Sequence, residues 1–136
     1  MHEVSTKWIE GMHFTSSPSG GKVEIDAVAE HGGKEKGVRP KALMLSSLAG
    51  CTGIDVMSIL EKMRVFPESF EIVVQAELTE EHPKFYKSTH IIYKFKGDID
   101  IEKLNKAVDL SYNKYCGVIH MFKQFSEVSK EIILNS

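Results

Sequence analysis

Two cysteines, Cys51 and Cys116, are the side chains of this sequence best suited to chemistry, because a thiolate is both a nucleophile and a metal ligand. Cys51 stands between Gly50 and Gly53 in a stretch with helical spacing. Each glycine inside a helix costs roughly 1 kcal/mol against alanine, so the two there need a reason. One reason is close packing of another element across the helix; the other is room for a substrate or second thiol beside Cys51. A free cysteine in such a helix is also commonly an inert core residue. One turn on lies Asp55, the only charged side chain between Ala42 and Leu60. A buried carboxylate needs hydrogen-bond partners or a cation. Asp55 is therefore either a structural acceptor or the anchor of a cation or substrate. As a bare anion it would oppose ionisation of a neighbouring thiol.

Cys116 is placed where a short helix begins. There its thiolate would meet unpaired backbone N–H groups and the positive end of the helix dipole, which lower a thiol pKa. His120 follows one turn later, at the spacing that puts two side chains on one helix face. The bland alternative is that Cys116 and His120 fill the core between helices. Tyr115 has the same two readings, core packing with a satisfied hydroxyl or a neighbour of the thiols. No CxxC occurs, and the wide separation of Cys51 and Cys116 matches no local redox motif. Apart from the Cys116/His120 pair, the six histidines show no ligand spacing, so neither a metal nor another cofactor is expected.

The elements that must position these residues follow from hydrophobic periodicity. Val4, Thr6 and Trp8 alternate in one strand; Val23, Ile25 and Ala27 alternate after the turn Ser16–Gly21, so two or three antiparallel strands open the chain. His31–Gly37 reads as a mobile loop. Pro40 marks a helix start, and Leu45, Leu48, Ala49, Thr52, Val56, Ile59, Leu60 and Met63 keep helical spacing after it. The opposite side is hardly polar either, which predicts a helix buried on most sides. Ser46, Ser47, Gly50, Thr52, Gly53 and Asp55 at its centre argue for a core helix over a membrane span, which needs about 20 predominantly apolar residues. Phe70–Thr79 and Phe85–Lys96 alternate as a hairpin across Glu80–Pro83. Asp98 or Asp100 caps a helix with the stripe Ile101, Leu104, Val108 and Tyr112. The pattern resets near Asn113–Tyr115, a second helix starts about Cys116, and Val128–Leu134 closes the chain as a strand.

Composition bounds the rest. With 136 residues, 42% hydrophobic and 26% charged, the chain fits one globular domain spanning 1–136. A formal net charge of -2 with no basic tract excludes a phosphate-neutralising surface, so no nucleic-acid or membrane partner is expected. The first residues carry no positive stretch followed by an apolar run, which points to the cytoplasm and to thiols held in a reducing compartment.

The run Pro40-Lys41-Ala42-Leu43-Met44-Leu45-Ser46-Ser47-Leu48-Ala49-Gly50-Cys51-Thr52-Gly53 resembles the signature helix of the OsmC/Ohr superfamily. Pro83 and Phe85 with the strand ending at Gly97, and Tyr115-Cys116-Gly117-Val118, match that family's order. Lys7–Phe14, Gly53–Leu60 and Ala107–Cys116 are similar to its YhfA-like branch. The resemblance covers nearly the whole chain. It implies an α+β OsmC-like fold, with antiparallel sheets around a buried central helix pair, in an intertwined homodimer. It also implies a thiol peroxidase that takes organic hydroperoxides, with Cys51 as the attacking thiol, Cys116 as the resolving thiol and an external dithiol as reductant. The peroxidase branches bring an arginine from the N-terminal strands to the cysteine and hold it with a glutamate in the first turn of the helix. This chain has no arginine before Arg39, and Lys41 stands about where that glutamate does. Arg39 and Lys41 are then candidate cations for the thiolate or ordinary solvated residues. The other reading is a protein of the same fold that binds a small hydrophobic or electrophilic ligand.

Overall fold

Polar–apolar alternation builds the first unit, Met1–Leu45, in a computed structural model that describes residues 1–136. Strands β1 (Ser5–Glu10), β2 (His13–Ser17) and β3 (Val23–Ile25) form an antiparallel sheet in that order. Trp8 faces Phe14 across the first pair, and Phe14 faces Ile25 across the second. Gly11, at φ 52, makes the turn between β1 and β2, a backbone that a side chain rarely adopts. The segment expected to be a mobile loop is instead tied down. Asp26 is buried, and its carboxylate accepts the backbone N–H groups of Ala27, Lys34 and Lys36. Those bonds, that of Lys36 foremost, hold its pKa below the ordinary value although burial pulls the other way.

Pro40 begins the long helix α1 (Pro40–Lys62), as its fixed φ and missing N–H favour. The second unit, Ser46–Ser136, takes most of that helix and the remaining elements. Strand β4 (Ser69–Leu78) pairs antiparallel with β5 (Tyr86–Lys96), setting Phe70 against Phe95, Ile72 against Tyr93 and Val74 against Ile91. The Phe70 and Phe95 rings stack with centroids 4.3 Å apart. Helix α2 (Ile101–Leu110) starts at Asp100, whose carboxylate accepts the Glu102 N–H at 3.0 Å. A π-helical turn (Ser111–Tyr115), helix α3 (Gly117–Lys123) and strand β6 (Glu127–Leu134) complete the chain. The α+β class is as expected. However, β6 runs parallel to β5, so the second sheet is mixed. The helices between them provide the crossover that a parallel pair requires.

Two helical stripes differ in detail from their periodicity. On α2 the buried residues are Leu104, Ala107 and Val108, with Ser111 one turn further, whereas Ile101 is 40% exposed. Tyr112 is half-buried and its hydroxyl donates to the Val128 carbonyl. On α1 only Leu48, Thr52, Val56 and Leu60 are buried. The helix is therefore not buried on most sides within one chain: Ile54 is 74% exposed, and Met44 and Met57 are open as well. By length and composition α1 could cross a membrane. Its central polar side chains are instead engaged with β5 and the π turn.

Thr52 makes that engagement. Its buried hydroxyl lies 2.7 Å from the Tyr93 hydroxyl on β5 and 2.8 Å from Ser111 Oγ. Replacing it with the isosteric valine keeps the volume but strands the Tyr93 hydroxyl and leaves Ser111 only its bond to Asp55. Thr52→Val should cost about 1–3 kcal/mol, read as a lower urea midpoint with an unchanged m-value, while Thr52→Ser keeps most of the stability. Equal midpoints for wild type and Thr52→Val would show that this link carries no stability.

Candidate thiol site

Helix α1 carries Cys51 and Asp55 four residues apart, on one face and about 6 Å apart along its axis. Cys116 comes from the far end of the π turn that follows α2. The π turn places it: its N–H donates to the Ser111 carbonyl at 2.9 Å, closing the five-residue turn that follows α2. Cys116 then serves as N-cap of α3, with Sγ accepting the Ile119 N–H at 3.4 Å. As a result the two sulfurs and a carboxylate oxygen of Asp55 all lie within 4.8 Å of one another. Both cysteines are free thiols; Cys51 is half-buried and Cys116 buried.

The carboxylate is positioned by the same polar link that joins the elements. Ser111 donates to Asp55 Oδ2 at 3.2 Å, and Ser111 in turn is bonded to Thr52, which meets Tyr93. Burial pushes the Tyr93 hydroxyl up to about 12, with the Thr52 bond working in the opposite direction. Beside this cluster opens a cavity of about 460 Å³ lined by Asp55, Ser58, Ile59, Lys62, Leu110 and Tyr115. Asp55 thus belongs to both the cluster and the cavity wall. Cys116 is not activated by its helix. The Ile119 N–H reaches the sulfur as the helix start implies, but burial and the adjacent Cys51 thiol outweigh it and push the pKa up to about 11. The expected lowering is therefore reversed in sign.

The remaining candidates divide. Tyr115 lines the cavity and is 54% exposed, so it is not core packing. His120 is exposed on α3 and stands outside the cluster. Arg39 is paired with Glu35 at 2.7 Å, four residues earlier. Lys41 is exposed in the first turn of α1, which holds no acidic residue. Of the two glycines, Gly53 is explained by packing: a Cβ there would come within 3.1 Å of Ile72 Cδ1 on β4. Gly50 faces open space. Ser58 and Lys62 carry no functional pattern in the sequence, and Thr52 reads there only as a member of the helical stripe. Ser111 had a signal, a hydroxyl at the position that continues the Leu104–Ala107–Val108 stripe.

The family model described as OsmC-like protein matches residues 32–130. The chain belongs to that family. Protein YhfA of Escherichia coli strain K12 is 32% identical over 124 residues, covering 90% of each chain. Among solved structures, a hypothetical protein from Aquifex aeolicus VF5 superposes with a TM-score of 0.83 at 32% identity, covering 100% of this chain and 98% of that one. The organic hydroperoxide resistance protein OhrB of Bacillus subtilis shares the fold, with a TM-score of 0.70 at 18% identity over 97% of each chain.

For this OsmC-like chain the thiol pair is asymmetric, and pH exposes the asymmetry. Brief iodoacetamide treatment at neutral pH should label half-buried Cys51 and spare Cys116, with Cys116 labelling rising only as pH approaches about 11. Folding raises the Cys116 pKa, so its contribution to stability is complete below the ordinary thiol value of 9.0 and is lost as pH climbs toward about 11. Peptide mass spectrometry reads the labelling. Equal labelling of both cysteines at neutral pH would contradict the burial argument.

Proposed function

We propose that this OsmC-like protein is a cysteine-dependent reductase of hydroperoxides, with Cys51 as the attacking thiol and Cys116 as the resolving thiol. The observation that carries the reading is the approach of both sulfurs and the Asp55 carboxylate to within 4.8 Å of one another. Cys51 is the more accessible sulfur, which suits it to meet the oxidant. Its thiolate attacks the O–O bond; an alcohol leaves with a proton, and Cys51 becomes a sulfenic acid. Cys116 remains a thiol under the same conditions. It condenses with the sulfenic acid, releasing water as the S–S bond forms, and an external dithiol then reduces that disulfide. Asp55, held by Ser111 at the edge of the cavity, is placed to accept or return protons during these steps. Such a cycle belongs in a reducing cytoplasm.

Two copies of the chain complete this reading as a homodimer. The exposed apolar residues Ile54 and Met57 on α1, with Trp8, Ile9 and Met12 on the first sheet, are surfaces a partner would cover. A second reading has a specific observation in its favour. No acidic residue stands in the first turn of α1, and Arg39 is taken by Glu35, so the customary cation and its holder are missing. A shallow, open apolar surface along Gly53, Ile54, Met57, Phe70 and Ile72 would, once covered by a partner, suit a small hydrophobic or electrophilic ligand instead.

Peroxide consumption by single variants separates the two. Cys51→Ser should abolish turnover of cumene hydroperoxide with a dithiol donor, and Cys116→Ser should leave Cys51 as a dimedone-reactive sulfenic acid. Undiminished turnover by Cys51→Ser would refute the peroxidase reading. A ligand retained in native mass spectra, with no turnover by wild type, would establish the binding protein. Separately, Ile54→Glu should shift the species seen by light scattering from dimer to monomer. A wild-type monomer would contradict the homodimer.

A further inference from the structure

We infer that the reduced chain holds a thiophilic divalent cation, zinc, between Cys51 Sγ, Cys116 Sγ and the Asp55 carboxylate. Zinc bonds lie near 2.3 Å to sulfur and 2.0–2.2 Å to carboxylate oxygen, so a tetrahedral site spaces its donors about 3.5–3.8 Å apart. The three donor atoms lie within 4.8 Å of one another, and contracting the trio by about 1 Å is within reach of side-chain rotation about χ1. The donors are also held as ligands need to be. Cys51 and Asp55 project from adjacent turns of one helix, and Cys116 is fixed by the π turn and the Ile119 N–H. Ser111 donates to Asp55 Oδ2, the kind of outer contact that orients a ligating carboxylate.

The donor types select the ion. Two sulfurs and one carboxylate suit a borderline-soft cation and exclude magnesium and calcium, which want oxygen alone. Three protein ligands leave a fourth tetrahedral position. The cavity at Asp55, with Ser58 and Tyr115 on its wall, has room for water or a small ligand there. Binding converts two thiols to thiolates and releases two protons, with no change in oxidation state. Because the same two sulfurs cannot both ligate zinc and share a disulfide, the loaded site shields the pair from oxidants. This site stands on the donor geometry and does not depend on peroxide turnover.

Cobalt(II) is the probe. Added to the reduced, tag-free full chain under argon, it should give a thiolate-to-cobalt charge-transfer band with tetrahedral visible bands. These should saturate at one ion per chain and vanish when zinc is added. Cys51→Ser and Cys116→Ser should each lose most of the charge-transfer intensity, and Asp55→Asn should weaken zinc by at least about tenfold. Ser111→Ala should weaken it about 10–100-fold, as loss of an outer-shell partner does. A wild-type measurement guards against misfolded variants: stoichiometric zinc should protect both thiols from Ellman's reagent. Absence of the charge-transfer band, its persistence in Cys116→Ser, or full thiol reactivity with zinc present would each overturn the proposal.

Discussion

A single buried hydroxyl, that of Thr52, sets the geometry on which the thiol site depends. An apolar helix can rotate or slide against its neighbours at little cost, because hydrophobic contact is non-directional. Hydrogen bonds are directional and expensive to leave unmade in the core. Thr52 meets Tyr93 on one side and Ser111 on the other, so α1 has one rotation that satisfies all three groups. That rotation aims Cys51 and Asp55, which flank Thr52 on the helix, toward the π turn that delivers Cys116. Ser111 serves twice, closing the polar link and donating to Asp55, and its carbonyl accepts the Cys116 N–H.

Electrostatics at the cluster is governed by burial more than by the helix end. The capping N–H, 3.4 Å from the sulfur, is set against desolvation of a nearly inaccessible thiol. Desolvation wins, and Cys116 is held protonated. Cys116 must give up its proton as its sulfur attacks a sulfenic acid and water leaves, so its burial slows the resolving step rather than preventing it. Lys62 stands on the wall of the cavity that Asp55 also lines.

Much of this architecture is legible in the sequence because it is written in strong periodic signals. Pro40, the alternation through Phe70–Leu78 and Ile91–Phe95, and the Asp100 cap each mark an element whose local preference and tertiary role agree. What periodicity misses are features set by tertiary partners. Ser111 looks like an interruption of an apolar stripe, and its role exists only once Thr52 and Asp55 are brought to it. The parallel pairing of β6 depends on a crossover through α2 and α3, which alternation within one strand does not encode. The loop after Asp26 reads as mobile from its glycines, yet three backbone N–H groups converge on one carboxylate. The all-round apolar character of α1 is real, but within one chain only one stripe of it is covered.

The central claim is that Cys51 and Cys116 form one redox pair, and a non-reducing peptide map tests it most directly. The reduced chain is exposed to a stoichiometric amount of cumene hydroperoxide, with hydrogen peroxide in parallel, quenched with acid within seconds and digested. The account predicts a single new species, the Cys51 peptide linked to the Cys116 peptide, forming faster with the organic oxidant. Two unmodified thiols after minutes of exposure would contradict it.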